Sequence, residues 1–220
     1  MSIDSDCRRA SFSSTAALRD GTAVCVRAMR PDDQERLRVA FARLSARSVY
    51  QRFFHPVNEL TADDLRRLTE IDFREQVGIV LTVGAEDDER LIAVGRYVRE
   101  VSGGDVAEVA FTVADDYQHR GAATLLLREI VAIARERGIR KFVALVLGDN
   151  RAMLEVFRRS NLPLRESFVD GVCRVVLIVA VAAPAPVQRC RWFDKFRNAI
   201  QTQWRRFFDD SARDRRYARP

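Results

Sequence analysis

Hydrophobic and polar positions along this chain follow two different periods, and the points where the period changes mark its elements. After an Asp20-Gly21-Thr22 turn signal, Ala23 to Ala28 reads as a strand. Pro31, Asp32 and Asp33 open a helix, with proline early and acids opposing the helix dipole; Leu37, Ala40, Phe41 and Leu44 form its apolar stripe. A short helix is predicted over 48–54, ending before Pro56. Thr61, with Asp64 three residues on, starts another that runs to about Ile71. Three strand-like runs follow: Val77 to Val83, Leu91 to Val101 and Val106 to Val113. Gly103-Gly104 joins the last two as an antiparallel hairpin.

The period then lengthens. Gly121 to Arg137 carries a broad apolar helical face and closes at Gly138. Phe142 to Leu147 is a buried strand, 150–160 a helix, and Leu164 to Phe168 and Val172 to Val181 are strands joined at Asp170-Gly171. This order predicts an α+β domain, a mixed and mostly antiparallel sheet flanked by helices.

Four regions follow from the same pattern. Residues 1–19 are serine-rich and aperiodic and are expected to be a disordered leader. The domain covers 20–182. An Ala/Pro linker covers 183–190, and 191–220 forms a basic amphipathic helix and tail. In that helix Trp192, Phe196, Ile200, Trp204, Phe207 and Phe208 share one face, with Arg191, Lys195, Arg205 and Arg206 opposite.

Composition narrows the function. The chain has 220 residues and a net charge of +6, and the ten Lys/Arg and four Asp after residue 187 account for all of it. The body is neutral, which argues against nucleic acid as its partner. The tail suits an anionic membrane surface, an acidic partner, or the domain's own surface. Cys7, Cys25, Cys173 and Cys190 form no close pair and, with only His55 and His119 beside them, no metal-ligand spacing; no metal is expected. No secretory signal or membrane-length apolar run occurs, and a cytoplasmic protein without disulfides is expected.

The segment that carries chemistry is Val106 to Val113, then Ala114 to Tyr117, then Gln118-His119-Arg120-Gly121-Ala122-Ala123. A strand turns there into a helix whose N-terminal N–H groups and positive dipole end suit a phosphate. Small residues at Gly121, Ala122 and Ala123 allow close approach of a diphosphate.

With Glu108 before it and Asn150 after it, this junction resembles the acetyl-CoA signature of the GNAT superfamily of N-acetyltransferases, Q/R-x-x-G-x-G/A. Asp20-Gly21-Thr22, Met29 to Asp33, Leu44-Ser45, Ser48 to Phe54, Leu65 to Asp72 and Ala107 to Val113 further resemble the bacterial Pat-type protein-lysine acetyltransferases, here without their fused regulatory domain. The resemblance implies acetyl-CoA as acyl donor and an amine, a protein lysine or a small molecule, as acceptor. It implies that the backbone of Phe111 and Val113 pairs with the pantetheine arm. Backbone amides of His119, Arg120, Gly121, Ala122, Ala123 and Thr124 would hold the pyrophosphate. Gln118 takes the motif's first position, and Asn150 would touch the cofactor near its thiol arm.

Glu108 matches the family's general base. A lysine arrives as an ammonium, with a pKa near ~10.4, and must lose a proton before its nitrogen can attack. The bland alternative is that Glu108 pairs with an arginine on an exposed strand. The family's usual tyrosine acid is replaced by Phe157, so no general acid is named; a non-catalytic acyl-CoA sensor signalling through the tail is the rival reading. His55 and His119 are expected to be a loop residue and a motif spacer.

Overall fold

The computed structural model describes residues 12–85 and 88–179. Eight strands form one sheet: β1 Ser13–Ala17, β2 Ala23–Ala28, β3 Gln76–Val83, β4 Arg90–Arg99, β5 Val106–Val113, β6 Lys141–Leu147, β7 Leu164–Val169 and β8 Val172–Ile178. Among the described residues the α-helices are α1 Gln34–Ala42, α2 Ala46–Phe53, α3 Ala62–Thr69, α4 Ala122–Glu136 and α5 Arg151–Arg158. The strand order is β1-β2-β3-β4-β5-β6-β8-β7, antiparallel throughout except for β5 beside β6.

The leader expected over 1–19 needs correction. Residues 13–17 form β1, antiparallel to β2, with Ser13 opposite Arg27 and Ala17 opposite Ala23. Serine and alanine carry little strand signal of their own. The ladder offered by β2, and Leu18 buried at the following turn (5% exposed), order the segment instead. The remaining leader residues, the expected linker at 183–190 and the basic helix at 191–220 lie outside the described residues.

Side-chain alternation divides the sheet between two cores. From Val77 to Val83 every residue of β3 is buried, because helices cover both faces of the sheet there. On one face Val77, Ile79 and Leu81 meet Leu126, Ile130 and Ala134, one stripe of α4. On the other, Val80 and Leu91 meet Leu37 and Phe41 of α1, Val49 of α2 and Leu65 of α3. Gly95 lets α4 approach: a Cβ there would lie 2.8 Å from Ile130 Cδ1 and 3.1 Å from the Phe111 ring.

Local signals account for the helix starts. Thr61 Oγ accepts from the Asp64 N–H and Asp64 Oδ2 from the Thr61 N–H, at 3.2 and 2.9 Å, closing the capping box expected there. The passage from β2 into α1 is held by charge. Arg27, 1% exposed, donates to both oxygens of Asp33 at 2.6 and 2.7 Å and to Glu89 at 2.9 and 3.1 Å. Burial penalises this cation, but the two carboxylates outweigh that and hold its pKa above the ordinary value.

Candidate active site

The site begins where two parallel strands part. β5 and β6 pair at Val106–Lys141, Ala107–Phe142 and Glu108–Val143 only, while β5 stays on β4 to Val113 and β6 on β8 to Leu147. Glu108 therefore stands at the apex of the gap. Val106 O accepts from Glu100 N–H, and Ala114 N–H donates to Ile92 O, so even-numbered residues of this segment address β4. The backbone groups of Val109, Phe111 and Val113 consequently turn toward the gap.

A cavity of about 620 Å³ fills the opening. Residues 108–113 of β5 and 144–146 of β6 form its two sides. Its mouth is the loop at the start of α4, its floor α5 with Met153, Val156 and Phe157, and its far wall Gln51 to His55 at the end of α2. Of the expected site residues, Glu108, Phe111, Val113, Gln118, His119, Gly121, Ala122, Ala123, Thr124 and Asn150 all line it.

Arg120 does not line it. Its guanidinium pairs with Asp20 at 2.9 Å and lies 5.1 Å from the Tyr117 ring centroid, so only its backbone remains at the loop. Two other expectations are refined. Gln118 commits its amide N–H groups to Val113 O at 3.2 Å and Ser48 Oγ at 3.1 Å. Val113 C=O is thereby partly occupied, which leaves the Phe111 groups and the Val113 N–H as the open strand edge. Asn150 caps α5, its Oδ1 accepting from Met153 N–H at 3.1 Å.

The loop has the geometry of an anion cradle. His119 and Gly121 both adopt left-handed backbone, with φ of 61° and 92°, and helix geometry leaves the N–H groups of Ala122, Ala123 and Thr124 without intrahelical acceptors. Asp115 holds the preceding turn against α2. Its carboxylate accepts from Ser45 N–H, Ser45 Oγ and Ser48 Oγ at 2.9, 2.8 and 2.7 Å. Partial burial pushes that carboxyl up, but these hydrogen bonds outweigh it and hold its pKa below the ordinary value.

Glu108 is half-buried on the face of the sheet that α1–α3 cover, within electrostatic reach of Arg52 and Arg96. Burial lowers the pKa of both guanidiniums, Arg96 to about 10, with the Glu108 charge acting against the fall. Arg96, 9% exposed, is anchored by hydrogen bonds to Arg67 O at 3.2 Å and to the Gln76 side chain. Phe157, 1% exposed, packs edge-on against Phe111 with centroids 6.0 Å apart.

The sequence reading missed Arg19, the 51–55 wall and the 144–146 side. Arg19 sits in the turn between β1 and β2, and Leu18 ahead of Asp20-Gly21 was a hairpin signal that could have found it. His55 lines the cavity with Nδ1 3.0 Å from Pro56 O. Among the described residues no group of three or more His, Cys, Asp or Glu side chains could hold a metal ion. No described helix is long and apolar enough to cross a membrane.

Comparison with known proteins agrees with this geometry. The chain is 32% identical to the acetyltransferase PA5475 of Pseudomonas aeruginosa over 140 residues, 64% of this chain and 75% of that protein. It is 37% identical to the acetyltransferase Pat of Mycolicibacterium smegmatis over 142 residues, 64% of this chain and 42% of Pat, and so spans under half of that relative. The crystal structure of the GNAT domain of S. lividans PAT matches with a TM-score of 0.68 and 43% identity, over 74% of this chain and 95% of that one. Residues 43–161 match the family described as Acetyltransferase (GNAT) family, and the chain belongs to it.

Proposed function

We propose that this acetyltransferase moves the acetyl group of acetyl-CoA to a protein lysine, with Glu108 as general base. The observation that carries the reading is the parting of β5 and β6 directly after Glu108. It sets a carboxylate at the apex of a cleft with a free strand edge along one side and a helix N-terminus at its mouth.

Each part has a chemical use. The pantetheine arm runs beside Phe111 and Val113 as an added strand, hydrogen-bonded to their backbone. The pyrophosphate lies on the N–H groups of the 119–124 turn. The incoming ammonium gives one proton to Glu108, directly or through water. Arg52 and Arg96 disfavour a further cation nearby and so favour the neutral amine. The amine nitrogen attacks the thioester carbonyl carbon, and a backbone N–H of the β5 edge meets the oxyanion. Collapse breaks the C–S bond, coenzyme A leaves as thiolate, and the nitrogen's surplus proton passes to that thiolate or to solvent. Phe157 carries no hydroxyl to protonate the leaving group, and a thiolate leaves without one.

The charges of the cavity bear on the acceptor. Its acidic lining residues are Glu108 and Glu155, against Arg19, Arg52 and Arg159. A polyamine or an aminoglycoside would need a pocket richer in acids, so a single lysine side chain entering from a protein surface fits better. The likeness to the Pat acetyltransferases supports the same choice.

The test is incubation with acetyl-CoA and a lysine-containing acyl-CoA synthetase, followed by intact mass of the synthetase, with Glu108→Gln alongside. A gain of one acetyl group that the variant abolishes is the expected result. Acetyl-CoA binding with no transfer to protein or small amines would overturn the reading in favour of a sensor.

A further inference from the structure

The turn between β1 and β2 lies outside the Gln118–Ala123 signature, yet it is fastened to it. Arg19 N–H donates to Arg120 O at 2.9 Å, and Asp20 pairs with the Arg120 guanidinium at 2.9 Å. Asp20 also accepts from Thr22 N–H at 3.0 Å, and Gly21 N–H donates to Leu18 O at 3.0 Å, so the turn is internally braced. Three residues of the turn and loop are thus locked in one relative position before any ligand arrives.

This arrangement directs the Arg19 side chain across Gly121. Arg19 Cγ and Nε lie 3.1 and 3.3 Å from where a Cβ on Gly121 would stand, and Arg19 lines the cavity. Its Nε therefore lies close to Gly121, at the start of α4. Among the described residues no carboxylate lies within ion-pair distance of it, since the adjacent Asp20 is taken by Arg120. An arginine held at the start of a helix, with no carboxylate partner among the described residues, matches the two-oxygen geometry of a phosphate.

We propose that Arg19 is a donor-binding residue that clamps the pyrophosphate of acetyl-CoA from the side opposite the α4 amides, so that the β1–β2 turn completes the cofactor site. The proposal rests on acetyl-CoA being the donor. It also gives Gly121 a second reason to lack a side chain: a Cβ there would press on the stem of the clamp.

The test compares wild type, Arg19→Ala and Arg19→Lys by calorimetry with three donors: acetyl-CoA, acetyl-3′-dephospho-CoA and S-acetylpantetheine. Arg19→Ala is expected to weaken both nucleotide donors by roughly tenfold, the loss of a charge-assisted contact, and to leave S-acetylpantetheine unchanged. Arg19→Lys restores part of the affinity, because charge survives but the fork does not. Arg19 is exposed and its backbone bond to Arg120 survives any substitution, so both variants should melt as wild type does. Equal affinity of wild type and Arg19→Ala for acetyl-CoA overturns the clamp while leaving the donor assignment intact. An effect that vanishes with acetyl-3′-dephospho-CoA overturns the pyrophosphate assignment, and failure of wild type to bind acetyl-CoA overturns both readings.

Discussion

Ser45 and Asp115, seventy positions apart, are joined twice: the Ser45 N–H and hydroxyl donate to the two Asp115 oxygens at 2.9 and 2.8 Å. Ser45 is the N-cap of α2, and Asp115 belongs to the turn that leads from β5 into the anion cradle. One contact therefore sets both the α2 wall of the cleft and the approach to its mouth. Gln118, bonded to Ser48 Oγ, extends the same link.

Replacing Asp115 by alanine should cost about 1–2 kcal/mol, the net worth of its hydrogen bonds, and weaken acetyl-CoA binding as the loop loosens. The pH dependence has a definite sign. The folded pKa of Asp115 lies below that of the unfolded chain, so folding favours the carboxylate. Its contribution is complete above the unfolded value near ~3.9 and declines as pH falls through the lowered folded value. Urea melts of wild type and Asp115→Ala should therefore converge on acidification.

Glu108→Gln keeps the shape of the apex and removes the proton acceptor. Turnover should fall by about 10²–10⁴-fold, the usual weight of a general base, with acetyl-CoA affinity unchanged. Part of the loss should be recovered at high pH, where free lysine supplies its own neutral amine. Steady-state rates across pH, with calorimetry for the donor, check this; a pH-independent loss would place Glu108 in a structural role.

Gly121→Ala meets two obstacles, a φ of 92° and the Arg19 stem 3.1 Å from the new methyl. Left-handed backbone costs about 1–2 kcal/mol for a residue with a Cβ. The expected outcome is a raised KM for acetyl-CoA with kcat at saturation close to wild type.

Arg27→Met removes the cation between two carboxylates, one of them fully buried. Asp33 and Glu89 keep Arg36, at 3.6 and 3.2 Å, as a partner. Losing the buried cation should therefore cost about 3 kcal/mol, the low end for a broken buried pair, and lower Tm by roughly 6–12 °C in a chain of this size. The donor site lies elsewhere, so acetyl-CoA affinity at low temperature should be retained.

Much of this was legible from local rules. The Thr61–Asp64 capping box, the hairpin between β4 and β5 and the strand-to-helix junction at Gln118–Ala123 all depend on neighbours in sequence, and all formed within a few residues of their expected bounds. β1 was not legible, because its order comes from pairing with β2 rather than from its own apolar residues. The place of the Arg120 side chain, outside the cleft, was hidden for a similar reason: its partner, Asp20, is a hundred residues distant.

By itself the sequence determined the periods of the elements, the glycine at the loop and the carboxylate on β5, since each is a property of a few adjacent residues. Only the tertiary structure decided that β5 and β6 part just after Glu108, that α2 supplies the cleft's far wall, and that Arg19 reaches over Gly121. Those features need strands and turns far apart in the chain to meet, and no local preference encodes such a meeting. It is set by which apolar faces close the two cores and which backbone edges remain to be paired.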